Sequence, residues 1–244
     1  TRQIIKTHQA RMKWVRREAD LIFAISQSTK NDLIKISSIA ANKIKVVYPA
    51  IDKNLFQPRN QKEIDRIKRK YQLDNYLLAV STKEPRKNFH RIISAFKQVG
   101  KNNLQLAIAG KTGWGKKNKT AGQNNIKILG YVPDKDLPAL YNGAKIFLYP
   151  SLYEGFGMPI LEAQACNCPV ITSNISSMPE IAGDGAVLIN PKKTSEIKKT
   201  IETISCNENL RKDLIAKGQT NVKRFSWKKC ATLVLQNLLH TSEV

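Results

Sequence analysis

The chain has 244 residues, 41 Lys+Arg against 19 Asp+Glu, a formal net charge of +22, 41% hydrophobic residues and 7% aromatic ones. That composition excludes a disordered chain, a collagen and a disulfide-built miniprotein, and the length allows one or two domains with a sizeable core. No run approaches the length of a membrane-spanning helix, and the opening TRQIIKTHQARMKWVRREAD lacks the apolar segment of a signal peptide.

In chain order, residues 1–58 read as a helix, a strand ADLIFAIS (19–26), a helix STKNDLIKIS (28–37) and a strand KVVYP (45–49). So few elements bury no core alone, and they read as the last units of a preceding domain whose bulk is expected before Thr1. The segment NLFQPRNQKEIDRIKRK (54–70) is polar and charged with Pro58 as a breaker, which places a linker at 59–71.

From Tyr76 the pattern changes. YLLAVS (76–81), LQLAIAG (104–110), IKILGYV (126–132), KIFLYP (145–150), PVITS (169–173) and AVLIN (186–190) are short continuous apolar runs. Helical segments separate most of them, at 88–100, at 134–144 with Asp134 as its expected N-cap, and around 159–167. Further helices are expected at 194–205, 207–219 and 226–239. Alternating strands and helices with unbroken apolar strands predict an α/β fold with a Rossmann-like parallel sheet of six strands, over about residues 72–219. The last helix, within 220–244, carries Trp227 and a stripe of Leu233, Leu235, Leu238 and Leu239. It requires an apolar partner and is expected to return toward residues 1–50.

Charge and cysteines narrow the function classes. Residues 1–122 hold 27 basic and 8 acidic side chains, a balance open to nucleic acid, an anionic membrane surface or a phosphorylated ligand, and equally to compositional drift in a chain rich in Lys, Asn and Ile. Nucleic acid is disfavoured, because aromatic and basic residues do not interleave on any strand pair. Cys166, Cys168, Cys206 and Cys230 form neither a disulfide framework nor a zinc spacing, and the three His are scattered. A reduced, cytoplasmic protein without a structural metal is expected.

Ligands of an open parallel sheet bind beyond the carboxyl ends of its strands. Three loops there stand out. STKEPRKN (81–88) puts Lys83, Arg86 and Lys87 at a helix start, where free N–H groups already favour a phosphate. SLYEGFGMPILEA (151–163) offers Gly155 and Gly157 for close backbone approach and two acids, Glu154 and Glu162. Glu162 sits in an apolar helix start, where a carboxylate facing a cleft accepts two vicinal hydroxyls. The two acids also admit glycoside hydrolysis, since nothing in the sequence sets their separation. The third loop, SNISSMPEIAGDGA (173–186), is rich in turn formers.

The segment EGFGMPILEA, with seven residues between Glu154 and Glu162, resembles the E-x7-E signature of the retaining glycosyltransferases of family four, which have the GT-B fold. LAIAGKTGW (106–114), residues 128–163, residues 167–191, SQSTKNDL (26–33) and VVYPAID (46–52) follow the family's order and spacing, so the likeness covers essentially the whole chain. It implies a second GT-B domain that binds a nucleotide diphosphate sugar. Arg86 and Lys87 match the basic pair on the donor diphosphate, and the amides of Gly155, Phe156, Gly157 and Met158 match the segment beside phosphates and sugar. Glu154 matches the acid on the hexose, Glu162 the acid on the ribose, and Tyr131 and Val132 the backbone beside the base. In one departure from the pattern, Thr82 stands where many members carry an Arg.

The resemblance therefore implies a retaining hexosyltransferase, with GDP-mannose as the first expectation for its donor. No metal or other cofactor is expected, because cations and amides stabilise the leaving diphosphate. The expected acceptor is a glycan or a lipid-linked oligosaccharide, with peripheral contact at an anionic inner membrane face. With the acceptor domain incomplete, the fragment alone is expected to be inactive, and a non-catalytic nucleotide-sugar-binding module is the alternative.

Overall fold

The computed structural model describes residues 2–82, 84–100, 103–111 and 125–241. They divide into two compact units, Thr1–Ala50 with Phe225–Val244, and Ile51–Arg224. Lys83 and most of the Gly/Lys-rich loop 111–125 lie outside the described residues.

In the first unit, α1 (Arg2–Glu18) precedes β1 (Ile22–Ala24), α2 (Gln27–Ser37) and β2 (Ile44–Val46). The two strands pair in parallel, and Ala24, Ile39 and Ile44 form a small core with Met12, Val15, Ile22, Leu33 and Ile34 packed on it. Ser26 begins α2 by accepting the Thr29 amide at 3.0 Å, an N-cap that satisfies one of the unpaired donors of a first helical turn.

The second unit opens with α3 (Gln61–Tyr71). The linker expected at 59–71 is thus replaced by an ordered helix. Asn60 accepts the Glu63 amide at 3.0 Å, and Ile64 and Ile67 are buried one turn apart. Two apolar residues at that spacing suffice to dock an otherwise charged helix.

Six strands follow: β3 (Tyr76–Val80), β4 (Gln105–Ala109), β5 (Ile126–Gly130), β6 (Ile146–Tyr149), β7 (Val170–Ser173) and β8 (Ala186–Ile189). All neighbours are parallel, in the order β5-β4-β3-β6-β7-β8. The α/β parallel fold is as the apolar runs predict. Side chains alternate across each strand, so Leu77 and Ala79 join one core and Tyr76 and Leu78 the other. The first core lies under α4 (Phe89–Lys97) and α8 (Thr194–Cys206), and the second is filled from α3, α5 (Leu137–Asn142) and α6 (Met158–Ala165). The short α7 (Met178–Ala182) precedes β8, and α9 (Glu208–Val222) ends the unit.

Two further expectations change. Asp134 caps nothing through its side chain, and the 3₁₀ turn Asp134–Asp136 starts the segment instead. Asp136, fully buried, is the structural acid there, meeting Arg66 at 3.2 Å, Lys70 at 2.5 Å and the Tyr71 hydroxyl at 3.0 Å. The last helix, α10 (Trp227–Thr241), falls in the first compact unit, where Phe225 meets Tyr48 edge-on at 5.7 Å. Its Trp227, Leu233, Leu235, Leu238 and Leu239 are exposed, so the burial expected for that stripe is not seen among the described residues.

Candidate functional site

The strand order reverses between β3 and β6, and such a switch point leaves a crevice at the carboxyl ends of the two strands. The loops that leave those ends are 81–88 and 150–157. The first closes into a 3₁₀ turn, Pro85–Lys87, followed by Asn88 in the left-handed conformation at φ 63°. The Leu152 amide donates to the Arg86 carbonyl at 2.7 Å, which locks the two loops together.

That lock brings three sequence-predicted residues into one cluster. The Glu154 carboxylate accepts from Lys87 Nζ at 2.6 Å on one oxygen and from Arg86 Nη1 at 2.7 Å on the other. Arg86 also reaches Glu84 at 2.8 Å and the Tyr153 carbonyl at 3.2 Å. Lys87 donates to the Tyr149 hydroxyl at 3.0 Å, with its ammonium 5.1 Å from that ring's centre. The Lys87 side chain is 9% exposed and that of Glu154 8%, against 41% for Arg86. Burial alone would raise the Glu154 pKa, but the Lys87 hydrogen bond and charge overcome it and hold the carboxyl below its usual range. Desolvation also lowers the Lys87 pKa, against the pull of Glu154.

The backbone beside Glu154 is equally fixed. The Ser176 hydroxyl lies 2.6 Å from the Glu154 carbonyl, and the Ser177 hydroxyl lies 2.9 and 2.6 Å from the carbonyls of Glu154 and Phe156. Gly157, at φ 113°, turns the chain into α6, with Met158 and Pro159 as its first residues. A left-handed residue here turns the loop sharply into a helix start, whose partial positive charge suits an anion, although Pro159 has no amide and the Ile160 amide donates to the Gly157 carbonyl at 2.9 Å. Phe156 is buried and Met158 half-buried.

Glu162 is half-buried on α6 and accepts from the Tyr141 hydroxyl at 2.9 Å. Desolvation pushes its carboxyl up to about 7, the Tyr141 hydrogen bond works against that, and the charge of Asp134 adds to it. Because this folded value lies above the unfolded one of about 4.3, the acid's contribution to stability is full below that value and is lost as pH rises through 7. Glu162→Gln, which keeps an acceptor for Tyr141, should therefore stabilise the fold at pH 8 by about 2 kcal/mol and do little at pH 4. Denaturant unfolding at the two pH values checks this. A gain equal at both would mean that ionisation is not the cause.

Tyr131 and Val132 follow β5, the outermost strand, two strands away from β3. Val132 is buried, whereas the Tyr131 ring is exposed with the Lys111 ammonium 4.9 Å from its centre. They share the carboxyl edge with the other predicted residues but not the Glu154 cluster.

Sequence reasoning missed Tyr149, Tyr141, Asn88 and the Ser176–Ser177 pair. The tyrosines left a signal: each interrupts an apolar segment, and a buried phenol hydroxyl needs a partner. Among the described residues no group of His, Cys, Asp and Glu is arranged to hold a metal ion, and none of the four cysteines forms a disulfide. Nor is any helix among them long and apolar enough to cross a membrane.

Comparison with known proteins bears on the family and the fold. A family profile described as Glycosyl transferases group 1 matches residues 60–221. The O-antigen chain mannosyltransferase B of Escherichia coli is 34% identical over 225 residues, covering 88% of this chain and 59% of that protein. The serotype-specific mannosyltransferase WbdA of Escherichia coli is 31% identical over 246 residues, covering 92% of this chain and 30% of that protein. The chain thus spans well under two thirds of either relative. Anabaena Alr3699/HepE, solved in complex with UDP and glucose, superposes with a TM-score of 0.82 at 22% identity, covering 94% of this chain and 67% of that one. This last likeness is one of fold.

Proposed function

The chain belongs to the glycosyl transferases group 1 family, and on that footing we propose that it is the donor-binding portion of a retaining, family-four hexosyltransferase, with GDP-mannose as donor. The observation that carries this reading is the meeting of Arg86, Lys87 and Glu154 at the switch point, beside the first turn of α6. The mannosyltransferase names of the relatives support the choice of sugar.

In this reading Arg86, Lys87 and the amides of Gly155–Met158 receive the diphosphate, and their positive ends offset the charge that grows on it as the glycosidic bond breaks. No metal enters the proposal. Glu154 has one cation on each oxygen, and a carboxylate has about four lone-pair sites. It can therefore hold Arg86 and Lys87 in place and still accept a hexose hydroxyl. Glu162 accepts the ribose hydroxyls, and the backbone at Tyr131 and Val132 borders the base. The acceptor is a glycan or a lipid-linked oligosaccharide, with peripheral contact at an anionic inner membrane face.

A thermal-shift panel of GDP, UDP, ADP and their sugars tests the reading, since a ligand bound only by the folded state raises its stability by mass action. GDP-mannose should give the largest shift. A larger one from UDP-glucose would keep the donor site and change the donor, and no shift from any would remove the site. A second result separates the phosphate role from mere surface charge. Lys87→Ala should weaken nucleoside diphosphate binding about 10- to 100-fold, and the monophosphate clearly less. Calorimetric titration reads both, and equal losses would move the diphosphate away from Lys87.

A further inference from the structure

We infer that Tyr141 is a positioning residue for the nucleotide, its buried hydroxyl aiming the Glu162 carboxylate and keeping it ionised so that it can accept two ribose hydroxyls. This rests on the reading of Glu162 as the ribose acceptor.

Three observations carry it. The Tyr141 ring is fully buried, packed edge-on against Phe147 at 5.2 Å and Phe56 at 6.3 Å, so its hydroxyl has a fixed direction. That hydroxyl donates to one oxygen of Glu162 only, at 2.9 Å, which leaves the other oxygen whole for a ligand. Burial also pushes the Tyr141 hydroxyl well above its usual range, so it stays a donor at every working pH.

The surroundings explain why a single donor matters. Asp134, before α5, opposes ionisation of Glu162 by its charge, and desolvation opposes it more. Tyr149 on β6 and Cys166 just after α6 also interact with it, and the charge of Arg59 acts on Cys166. Burial holds Tyr149 far above its usual range and Cys166 up to about 12, so neither titrates between pH 6 and 9. Tyr141 is thus the hydrogen-bond donor that favours the carboxylate, and the balance is poised near neutrality. Ribose hydroxyls donate to the same carboxylate, so nucleotide binding should release a proton from Glu162 below about pH 7.

The test uses the full chain with the tighter of GDP-mannose and UDP-glucose, whose phosphates are both esterified and lack the ionisation near pH 6 of a phosphate monoester. Affinities of the wild type, Tyr141→Phe and Glu162→Gln are measured by calorimetry at pH 6, 7 and 9. Losing one hydrogen bond to the carboxylate raises its pKa by about one unit. Tyr141→Phe should then weaken binding approaching tenfold at pH 6, about fivefold at pH 7 and under twofold at pH 9. The ratio to wild type cancels any other group that titrates in both proteins. The variant keeps the ring and its packing, and the pH at which Glu162 affects unfolding should rise with it, which is a readout independent of ligand.

A loss of the same factor at every pH, or none, overturns the positioning role while leaving the ribose reading intact. Glu162→Gln should bind weakly with no dependence attributable to that acid. If instead it binds like the wild type, or neither nucleotide sugar binds at all, the ribose reading falls and this inference with it.

Discussion

Glu154→Ala should destabilise the sheet unit by about 3–5 kcal/mol, because it strands a buried ammonium. Lys87 has Glu154 and the Tyr149 hydroxyl as its partners, at 2.6 and 3.0 Å, and only 9% of its side chain reaches solvent. Arg86, 41% exposed and still paired with Glu84, adds little to this loss. Glu154 is held ionised, with its pKa below the usual range, so its contribution is present above about pH 4.3 and is lost as pH falls through the lower folded value. The difference between wild type and variant should therefore shrink in acid. Adding Lys87→Met to the variant removes the stranded charge and should recover most of the stability. Denaturant unfolding of the three proteins at pH 7 decides the matter. A loss below 1 kcal/mol for the single variant, or no recovery in the double, would show that Lys87 escapes to water.

Gly110→Ala should be nearly as severe, at about 2–5 kcal/mol, for a reason confined to the backbone. Gly110 has φ 140°, and a Cβ there would overlap the carbonyl oxygen of Ser81. Neither chain can retreat. The Ser81 amide donates to Ala109 at 2.9 Å and the Gly110 amide donates to Gly130 at 2.6 Å, so the ends of β3, β4 and β5 are tied at this point. Ser81 begins the loop that carries Arg86 and Lys87, so the variant should also lose affinity for a nucleoside diphosphate. Unfolding and binding measured on the same preparation check both. A variant of near-native stability would show that the ends of β3 and β4 part at little cost.

The sheet was legible in the sequence because its physics is one-dimensional. A parallel strand buried on both faces must be apolar at every position, and Tyr76–Val80 or Ile146–Tyr149 shows that without knowledge of any neighbour. Helix α3 was missed because nine of its eleven residues address solvent or the Asp136 cluster and only Ile64 and Ile67 report its burial. Its start was nonetheless written in Asn60 and Glu63, three residues apart. The exposed leucines of α10 went the other way: periodicity showed a face to cover, and no local pattern says what covers it.

The candidate site divides along the same line. Arg86, Lys87, Glu154 and Glu162 could be named from their motif, but their pairing could not. That two cations from one loop close on one acid of another depends on β3 and β6 being neighbours, although 65 residues separate the ends of their segments in the chain. Tyr141 meets Glu162 for a comparable reason, because α5 packs beside α6.

Asn88 shows what such long-range ties do for a ligand. Its side-chain amide donates to the carbonyls of Pro150 at 2.9 Å and Pro191 at 2.8 Å, while its oxygen accepts from Arg91 at 3.0 Å. Two carbonyl partners fix which end of the amide is nitrogen. Three loops, after β3, β6 and β8, are thereby spliced by one residue with no solvent exposure. A nucleotide arriving there meets a single preorganised shelf rather than three separate fingers. The entropy of arranging that shelf is lost once, when the chain folds, and not again at each binding event, which leaves more of the contact energy to appear as affinity.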